Sequence, residues 1–162
     1  MQEYALEDNE VFSLLTPKQI SEISDLALIK RYAENDIIYN HNEPATTLYI
    51  LLEGEVALTL PAAGDATAKP LTLEIDIVRD HGIFGGGLLF GVERYSTRAR
   101  ATKPSNIMTF DSKRFLEIIR ENKSEFPIMA HIARVYFLRY INAMKQFAQG
   151  YCQISDVGAN SE

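Results

Sequence analysis

From Ala33 to Ala101 the sequence alternates short β-rich segments with turn residues, and this pattern restricts the fold more than any other feature. The turns are marked by Asn40 to Pro44, by Glu53-Gly54 and by the small, polar run from Pro61 to Pro70, which we interpret as a hairpin loop. Short strands at even spacing are typical of an antiparallel sandwich or barrel. The predicted strands cover residues 36–39, 47–52, 55–60, 71–78, 95–101 and 106–110.

The helices predicted outside this region begin at recognisable capping residues. Residues 16–19 (Thr-Pro-Lys-Gln) combine a cap, a proline suited to the first helical position and the glutamine of a capping box, so a helix is expected from there. Asp111 is expected to cap a helix over 112–122, and Ser124 a longer one over 125–147. The chain therefore has one helix before the β-rich region and two after it.

The last predicted helix carries apolar residues on two faces. A helix of this kind must cover two surfaces, and the same helix of a second copy is the economical partner for the second face. We therefore predict a homodimer through the helix 125–147, with a single broad stripe on a fully buried helix as the alternative. One stripe consists of Ile128, Ile132 and Val135, and the other, at the coiled-coil interval, of Ala130, Ala133, Phe137, Tyr140, Met144 and Phe147.

Composition indicates a globular protein and excludes several classes. The chain has 162 residues, 46% of them hydrophobic and 23% charged, which suffices for one domain with a single core. No apolar run approaches the ~20 residues of a membrane-spanning helix, and the acidic N-terminus lacks the apolar core of a secretory signal. The single cysteine, Cys152, cannot form an internal disulfide. We expect a cytoplasmic protein with no membrane partner.

Charge is unevenly distributed along the chain. The net charge is −6, but residues 1–93 sum to −11 while residues 94–145 sum to +7. An acidic chain is repelled by nucleic acid at long range. The residues given after the last predicted helix, 148–162, are too few for a helix-turn-helix module, so no direct DNA binding is expected. The cations from Arg94 onward could hold a small anion, or could simply neutralise the acidic half across the fold.

The sequence offers no residues for an enzyme. His41, His81 and His131 are too far apart for a local metal motif, so no metal site is predicted. Neither a nucleophile elbow nor a P-loop nor a closely spaced Ser/His/Asp set is present. We interpret Asp76, together with Glu74 and Asp80, as part of a solvated strand face.

Six short sequences follow one another along the chain: NDIIY (35–39), NEP (42–44), LYI (48–50), EGEV (53–56), IFGGGLL (83–89) and YSTRARA (95–101). These sequences and the order of the predicted elements resemble cyclic nucleotide-binding domains. The first four of these sequences are similar to the opening hairpin and next turn of that family, and the last two resemble its phosphate-binding cassette. The resemblance covers about Phe12 to Phe147 and is strongest to effector domains of catabolite-activator-type bacterial regulators.

This resemblance implies a mainly β fold with flanking helices: an antiparallel β-roll or jelly-roll barrel with an N-terminal helix and two C-terminal helices. It implies a cyclic nucleotide-binding-like domain over residues 1–150, followed by a C-terminal polar tail over 151–162. It also implies a regulatory role in signal transduction, with a cyclic nucleotide or another small phosphorylated ligand as the bound molecule and the last helix as the element that responds.

The cassette departs from the family pattern at two positions. The family places a Glu directly after Phe-Gly to accept the ribose 2′-hydroxyl, and an Arg to bind the cyclic phosphate. Alignment puts Gly86 and Tyr95 at these positions, and Arg94 substitutes only if the loop slips by one residue. Losing both charged hydrogen bonds removes roughly 3–6 kcal/mol, or about two to four decades of affinity. Tight binding of cyclic AMP is therefore not expected.

The predicted ligand site combines the glycine-rich turn, the following strand and the last helix. Consecutive glycines leave the backbone free to wrap an anion, and Asn142, the only amide between Ser124 and Lys145, could read the edge of a ligand or mark the register of a dimer. The alternative is a vacant cyclic nucleotide-binding-like scaffold that acts through dimerisation or protein interaction. The candidate site residues are Gly85, Gly86, Gly87, Leu88, Arg94, Tyr95, Ser96, Thr97 and Asn142.

Overall fold

In the computed structural model, six antiparallel strands form one sheet that curls into a roll. The structure describes residues 10–61, 72–79, 81–121 and 124–159, with side chains to residue 149. The predicted hairpin loop from Pro61 to Pro70 lies outside the described residues, apart from Pro61 itself. The strands are β1 (Leu28–Tyr32), β2 (Ile37–Tyr39), β3 (Thr47–Pro61), β4 (Thr72–Val78), β5 (Ile83–Phe84) and β6 (Arg98–Asp111).

The two long strands β3 and β6 organise the sheet. They pair with each other over most of their length, and the order in the sheet is β1-β6-β3-β4. The short strand β2 pairs with β6, and β5 pairs with β3. This antiparallel roll with flanking helices confirms the predicted fold class.

Strand β3 differs from the prediction because the chain does not turn at Glu53-Gly54. The structure has one strand through this point, and its register against β6 shifts between Leu51 and Val56. Gly54 has φ +108°, and a Cβ there would collide with Ser105 Oγ. Glycine therefore lets two neighbouring strands bend together without breaking the sheet. Strand β6 is likewise one strand where two were predicted.

Helices begin where the sequence predicted. The capping box at Thr16 is confirmed, since its hydroxyl accepts the Gln19 N–H and the Gln19 side chain accepts the Thr16 N–H. Asp111 Oδ1 accepts the Arg114 N–H at 2.8 Å and so caps the second helix. The helices are α1 (Pro17–Leu26), α2 (Ser112–Glu121) and α3 (Glu125–Ala159).

The last helix, α3, is longer than predicted and is anchored at its start. It continues to Ala159, beyond the expected end at residue 147. Ser124, just before the helix, donates its hydroxyl to Gln19 Oε1 at 2.9 Å, and this buried contact joins α3 to α1. Among the described residues, none of the helices is both long enough and apolar enough to cross a bilayer.

Two groups of buried side chains make up the core. The first lies where the helices cover the sheet and includes Phe12, Ile23, Phe110, Phe115, Ile119, Ile128 and Ile132. The second is rich in aromatic rings and includes Tyr39, Tyr49, Leu51, Val56, Phe84, Tyr95, Ala99 and Ile107. Two rings of this second group, Tyr39 and Tyr95, also line the cavity described next.

Candidate functional site

A cavity of about 240 Å³ lies between the glycine-rich turn and α3. Its lining is mostly apolar and aromatic, and it comes from both the β-roll and the last helix. A molecule bound there would therefore contact both parts of the fold at once. The β-roll and its loops contribute Tyr39, Leu58, Ile75, Gly85, Gly87, Val92, Arg94, Tyr95, Ser96 and Thr97, and α3 contributes Tyr136, Arg139, Tyr140 and Ala143.

The structure brings most of the predicted site residues together. Six of the nine line the cavity, namely Gly85, Gly87, Arg94, Tyr95, Ser96 and Thr97. Gly86 and Leu88 lie in the same turn but do not line it, and Asn142 is exposed on α3 outside the cavity. The roles of all nine residues in binding remain predictions.

The glycine-rich turn is closely packed at two of its positions. Gly85 has φ +73°, and a Cβ there would lie 2.5 Å from Tyr49 Cδ2. At Gly86 a Cβ would lie 2.9 Å from Leu48 Cδ1, in a buried position. The Gly86 N–H also donates to the Tyr136 hydroxyl at 2.7 Å. The position that the sequence alignment assigned to the glutamate is therefore a buried glycine, and a Cβ there would press on the end of the Leu48 side chain.

Tyr95, which the sequence alignment assigned to the position of the arginine, has its hydroxyl bonded to the protein backbone. Its hydroxyl donates to the Thr47 C=O at 3.0 Å and accepts the Thr47 N–H at 3.1 Å. Its ring stacks on Tyr39 with centroids 3.8 Å apart. Burial raises the pKa of the Tyr39 hydroxyl well above its ordinary value, so that ring is neutral at physiological pH. The two stacked rings form an aromatic wall of the cavity.

Arg94 lines the cavity, and one nitrogen of its guanidinium is bonded to backbone. Its Nη1 donates to the Asn42 C=O at 2.7 Å. From Tyr95 onward the side chains alternate, because Tyr95, Ala99 and Ala101 are buried while Ser96 and Arg98 are exposed. Arg98 therefore lies on the outer face of the sheet.

The sequence prediction missed Arg139, which enters the cavity from α3. Its Nε donates to Asp76 Oδ2 at 2.6 Å, and its guanidinium carbon lies 5.5 Å from the centroid of the Tyr136 ring. The Arg139 side chain is only 12% exposed. Its Nη1 is buried and has no hydrogen-bond partner among the described residues.

A β-bulge explains why Asp76 faces Arg139. The register of β4 passes from Asp76 opposite Leu58 to Glu74 opposite Thr59, so Ile75 is an extra residue that reverses the alternation of side chains. The Asp76 side chain is 28% exposed and forms an ion pair, which corrects its interpretation as part of a solvated strand face. Alternation alone could not reveal this pair, because the bulge is set by the contact with β3.

Tyr136 connects the turn to this ion pair. Burial raises the pKa of its hydroxyl, while the Arg139 charge and the Gly86 N–H act in the opposite direction with smaller effect. The hydroxyl is therefore protonated at neutral pH, and it accepts from Gly86 while keeping its own proton to donate. Within the part of the chain that the structure describes, no group of three or more His, Cys, Asp and Glu side chains could hold a metal ion.

Comparisons with known proteins agree with this architecture. The model of the cyclic nucleotide-binding domain family matches residues 29–122. A search of curated protein sequences found no match.

Solved structures give the same answer for the fold. A Geobacter metallireducens protein assigned to the cyclic nucleotide-binding proteins is 25% identical, with a TM-score of 0.69 over 86% of this chain and 98% of that one. The sensor domain of the transcriptional regulator DNR from Pseudomonas aeruginosa is 19% identical, with a TM-score of 0.68 over 85% and 89% of the two chains. The catabolite activator protein of Thermus thermophilus is 16% identical, with a TM-score of 0.65 over 85% of this chain and 62% of that one. Because the family model matches more than half of its residues, the chain belongs to the cyclic nucleotide-binding domain family.

Proposed function

We propose that this domain is a regulatory module in which a small ligand in the cavity changes the position of α3. The observation that carries the proposal is the shared lining of the cavity, which comes from the glycine-rich turn on one side and from α3 on the other. Two contacts join these sides without a ligand: the Gly86 N–H to the Tyr136 hydroxyl, and Arg139 to Asp76. A bound molecule would add to or rearrange these contacts.

The ligand would be held differently from the family's usual nucleotide. Gly86 and Tyr95 offer neither the carboxylate nor the guanidinium that the family uses for ribose and cyclic phosphate. We expect Ser96, Thr97 and the backbone of the turn to supply polar contacts instead. Cyclic AMP is therefore expected to bind weakly, in line with the loss of roughly 3–6 kcal/mol for two charged hydrogen bonds. A binding role, without catalysis and without direct contact to DNA, stays part of the proposal.

The response would pass to a second copy of the chain through α3. Its side chains at steps of three and four are exposed, among them Phe137 (61%), Tyr140 (59%) and Phe147 (57%). Exposed apolar residues at this interval favour a helix–helix seam. Tyr140 belongs to this exposed stripe and also lines the cavity. One ring would thus report occupancy of the cavity to the dimer.

A second candidate is a vacant scaffold that works only through the exposed face of α3. The observation that favours it is that polar groups around the cassette are already hydrogen bonded within the protein. The Gly86 N–H is bonded to Tyr136, and the Tyr95 hydroxyl is bonded twice to the backbone of Thr47. Neither group needs a ligand.

Calorimetric titration with cyclic AMP, cyclic GMP and inorganic phosphate, beside a thermal-shift screen, separates the two candidates. Ligand sensing predicts saturable binding of at least one compound and a change in the dimer dissociation constant on its addition. No binding and no thermal shift across the panel would favour the vacant scaffold. Binding that leaves the sedimentation behaviour unchanged would contradict the proposed coupling to α3.

A further inference from the structure

The guanidinium of Arg139 has donors to spare beside the cavity. An arginine carries five N–H donors, and Asp76 receives the one on Nε. Nη1 is buried without a partner among the described residues, although buried donors in native proteins are nearly always hydrogen bonded. The side chain is 12% exposed and lines the cavity, so an acceptor bound there could receive N–H groups of the guanidinium other than Nε and the enclosed Nη1.

The other polar groups of the lining are less suited to an anion. The Tyr95 hydroxyl is used by the backbone of Thr47, and Arg94 is exposed and bonded to the Asn42 carbonyl. Arg139 is instead held between Asp76 and the face of the Tyr136 ring, with its side chain 12% exposed. A guanidinium fixed in this way loses little conformational freedom when it binds an oxyanion.

Asp76 sets the charge that the site can accept. Its carboxylate lies 2.6 Å from Arg139 Nε and offsets most of the arginine's positive charge at a distance. A ligand with two negative charges would be repelled by this carboxylate, whereas one with a single charge can still form short hydrogen bonds with the free donors. The apolar and aromatic lining suits a ligand whose body is also apolar or flat.

We infer that Arg139, oriented by Asp76, binds the anionic group of the cavity's ligand, and that the site accepts a small oxyanion with a single negative charge, a carboxylate or a phosphodiester. This inference rests on the proposed function and states the class of its ligand. In the usual cassette the cation lies on the strand after the glycine-rich turn, whereas here it comes from α3. The binding of the anion is therefore a direct contact with the helix that responds.

The test uses the full chain at pH 8 with three probes: benzoate, 3′,5′-cyclic AMP and 5′-AMP. The two nucleotides share a base and a sugar, but the phosphomonoester of 5′-AMP is doubly charged at this pH because its second pKa is about 6. Benzoate binding alone would identify a carboxylate site, and cyclic AMP binding alone a phosphodiester site. Tighter binding of 5′-AMP than of either other probe would overturn the single-charge rule.

Variants then assign the residues. Arg139→Gln should weaken binding of the preferred probe by roughly ten- to a hundredfold, the value of a charged hydrogen bond. Arg134→Gln is the matched control, because Arg134 is an exposed arginine of α3 that does not line the cavity. Asp76→Asn should shift the preference toward 5′-AMP relative to cyclic AMP, which a merely structural role for Asp76 would not do.

A spectroscopic readout keeps the inference testable if a variant fails to fold. In the unmodified protein, the Nε–Hε NMR signal of Arg139 should move on addition of the bound probe, in proportion to occupancy. Binding without movement of this signal, or with undiminished affinity in Arg139→Gln, would overturn the inference and leave the proposed function standing. No binding of any of the three probes would overturn the inference and remove the support for ligand sensing.

Discussion

The hydrogen bond from the Gly86 N–H to the Tyr136 hydroxyl joins the glycine-rich turn directly to α3, and Tyr136→Phe removes it while keeping the ring. Gly86 is buried, so its N–H would be left without an acceptor. A buried unsatisfied donor costs about 1–3 kcal/mol. For a domain of this size, each kcal/mol lowers the Tm by roughly 2–4 °C. We therefore expect a measurable loss of stability from the deletion of one oxygen atom.

Urea denaturation and amide hydrogen exchange measure this effect. The midpoint should fall without a change of slope, and the Gly86 amide should exchange faster than in the native protein. Tyr140→Phe is the matched control, because Tyr140 lies on the same helix and its side chain is exposed. Equal midpoints for Tyr136→Phe and the native protein, with unchanged exchange at Gly86, would refute the assigned role of this bond.

Three further predictions concern the turn, the buried tyrosines and α3. Gly85→Ala should destabilise the fold by about 1–3 kcal/mol more than Gly91→Ala. Both glycines have positive φ, but only at Gly85 would a Cβ press against Tyr49. Urea denaturation of both variants tests this difference. Burial raises the pKa of Tyr39, Tyr49 and Tyr136, so the free energy of unfolding should be fully retained below pH about 10 and fall as the pH rises beyond it. Tyr39→Phe should reduce that fall, and a flat profile from pH 9 to 11 would contradict it. Phe137→Glu should weaken dimerisation by roughly thirtyfold, about 2 kcal/mol, as measured by sedimentation velocity. Leu138→Glu is the control and should not weaken it, because Leu138 is exposed on the same helix but lies outside the stripe. A native chain that is monomeric at all concentrations would refute the proposed helix–helix interface.

Local signals explain how much of the fold the sequence predicted. The capping box at Thr16 and the cap at Asp111 depend on residues three positions apart, so the helix starts could be read directly. Turn residues marked most strand ends for the same reason. The break at Glu53-Gly54 was misjudged because a glycine that bends a strand and a glycine that ends one have the same local sequence. Only the pairing of β3 with β6 distinguishes them.

The site was predicted in part, and the missing part is tertiary. The family resemblance located the glycine-rich turn and the strand from Tyr95, and the structure places most of those residues around the cavity. The Arg139–Asp76 pair depends on a bulge in β4 and on how α3 packs across it, and neither has a signature in a single sequence. The one available signal was an arginine between two tyrosines of an otherwise apolar helix segment, at residues 136–140.

The fixed start of α3 has a mechanical consequence. Ile128 and Ile132 are fully buried and Ser124 is bonded to Gln19, so the helix is fixed over its first two turns, whereas most of its side chains over residues 133–149 are exposed. From Ile132 to Ala159 a straight helix extends about 40 Å at 1.5 Å per residue. A pivot of about 10° at the clamp would swing the far end by roughly 7 Å. A displacement of α3 by a fraction of an ångström at Arg139, which lies close to this pivot, therefore becomes several times larger at the C-terminal end of the helix.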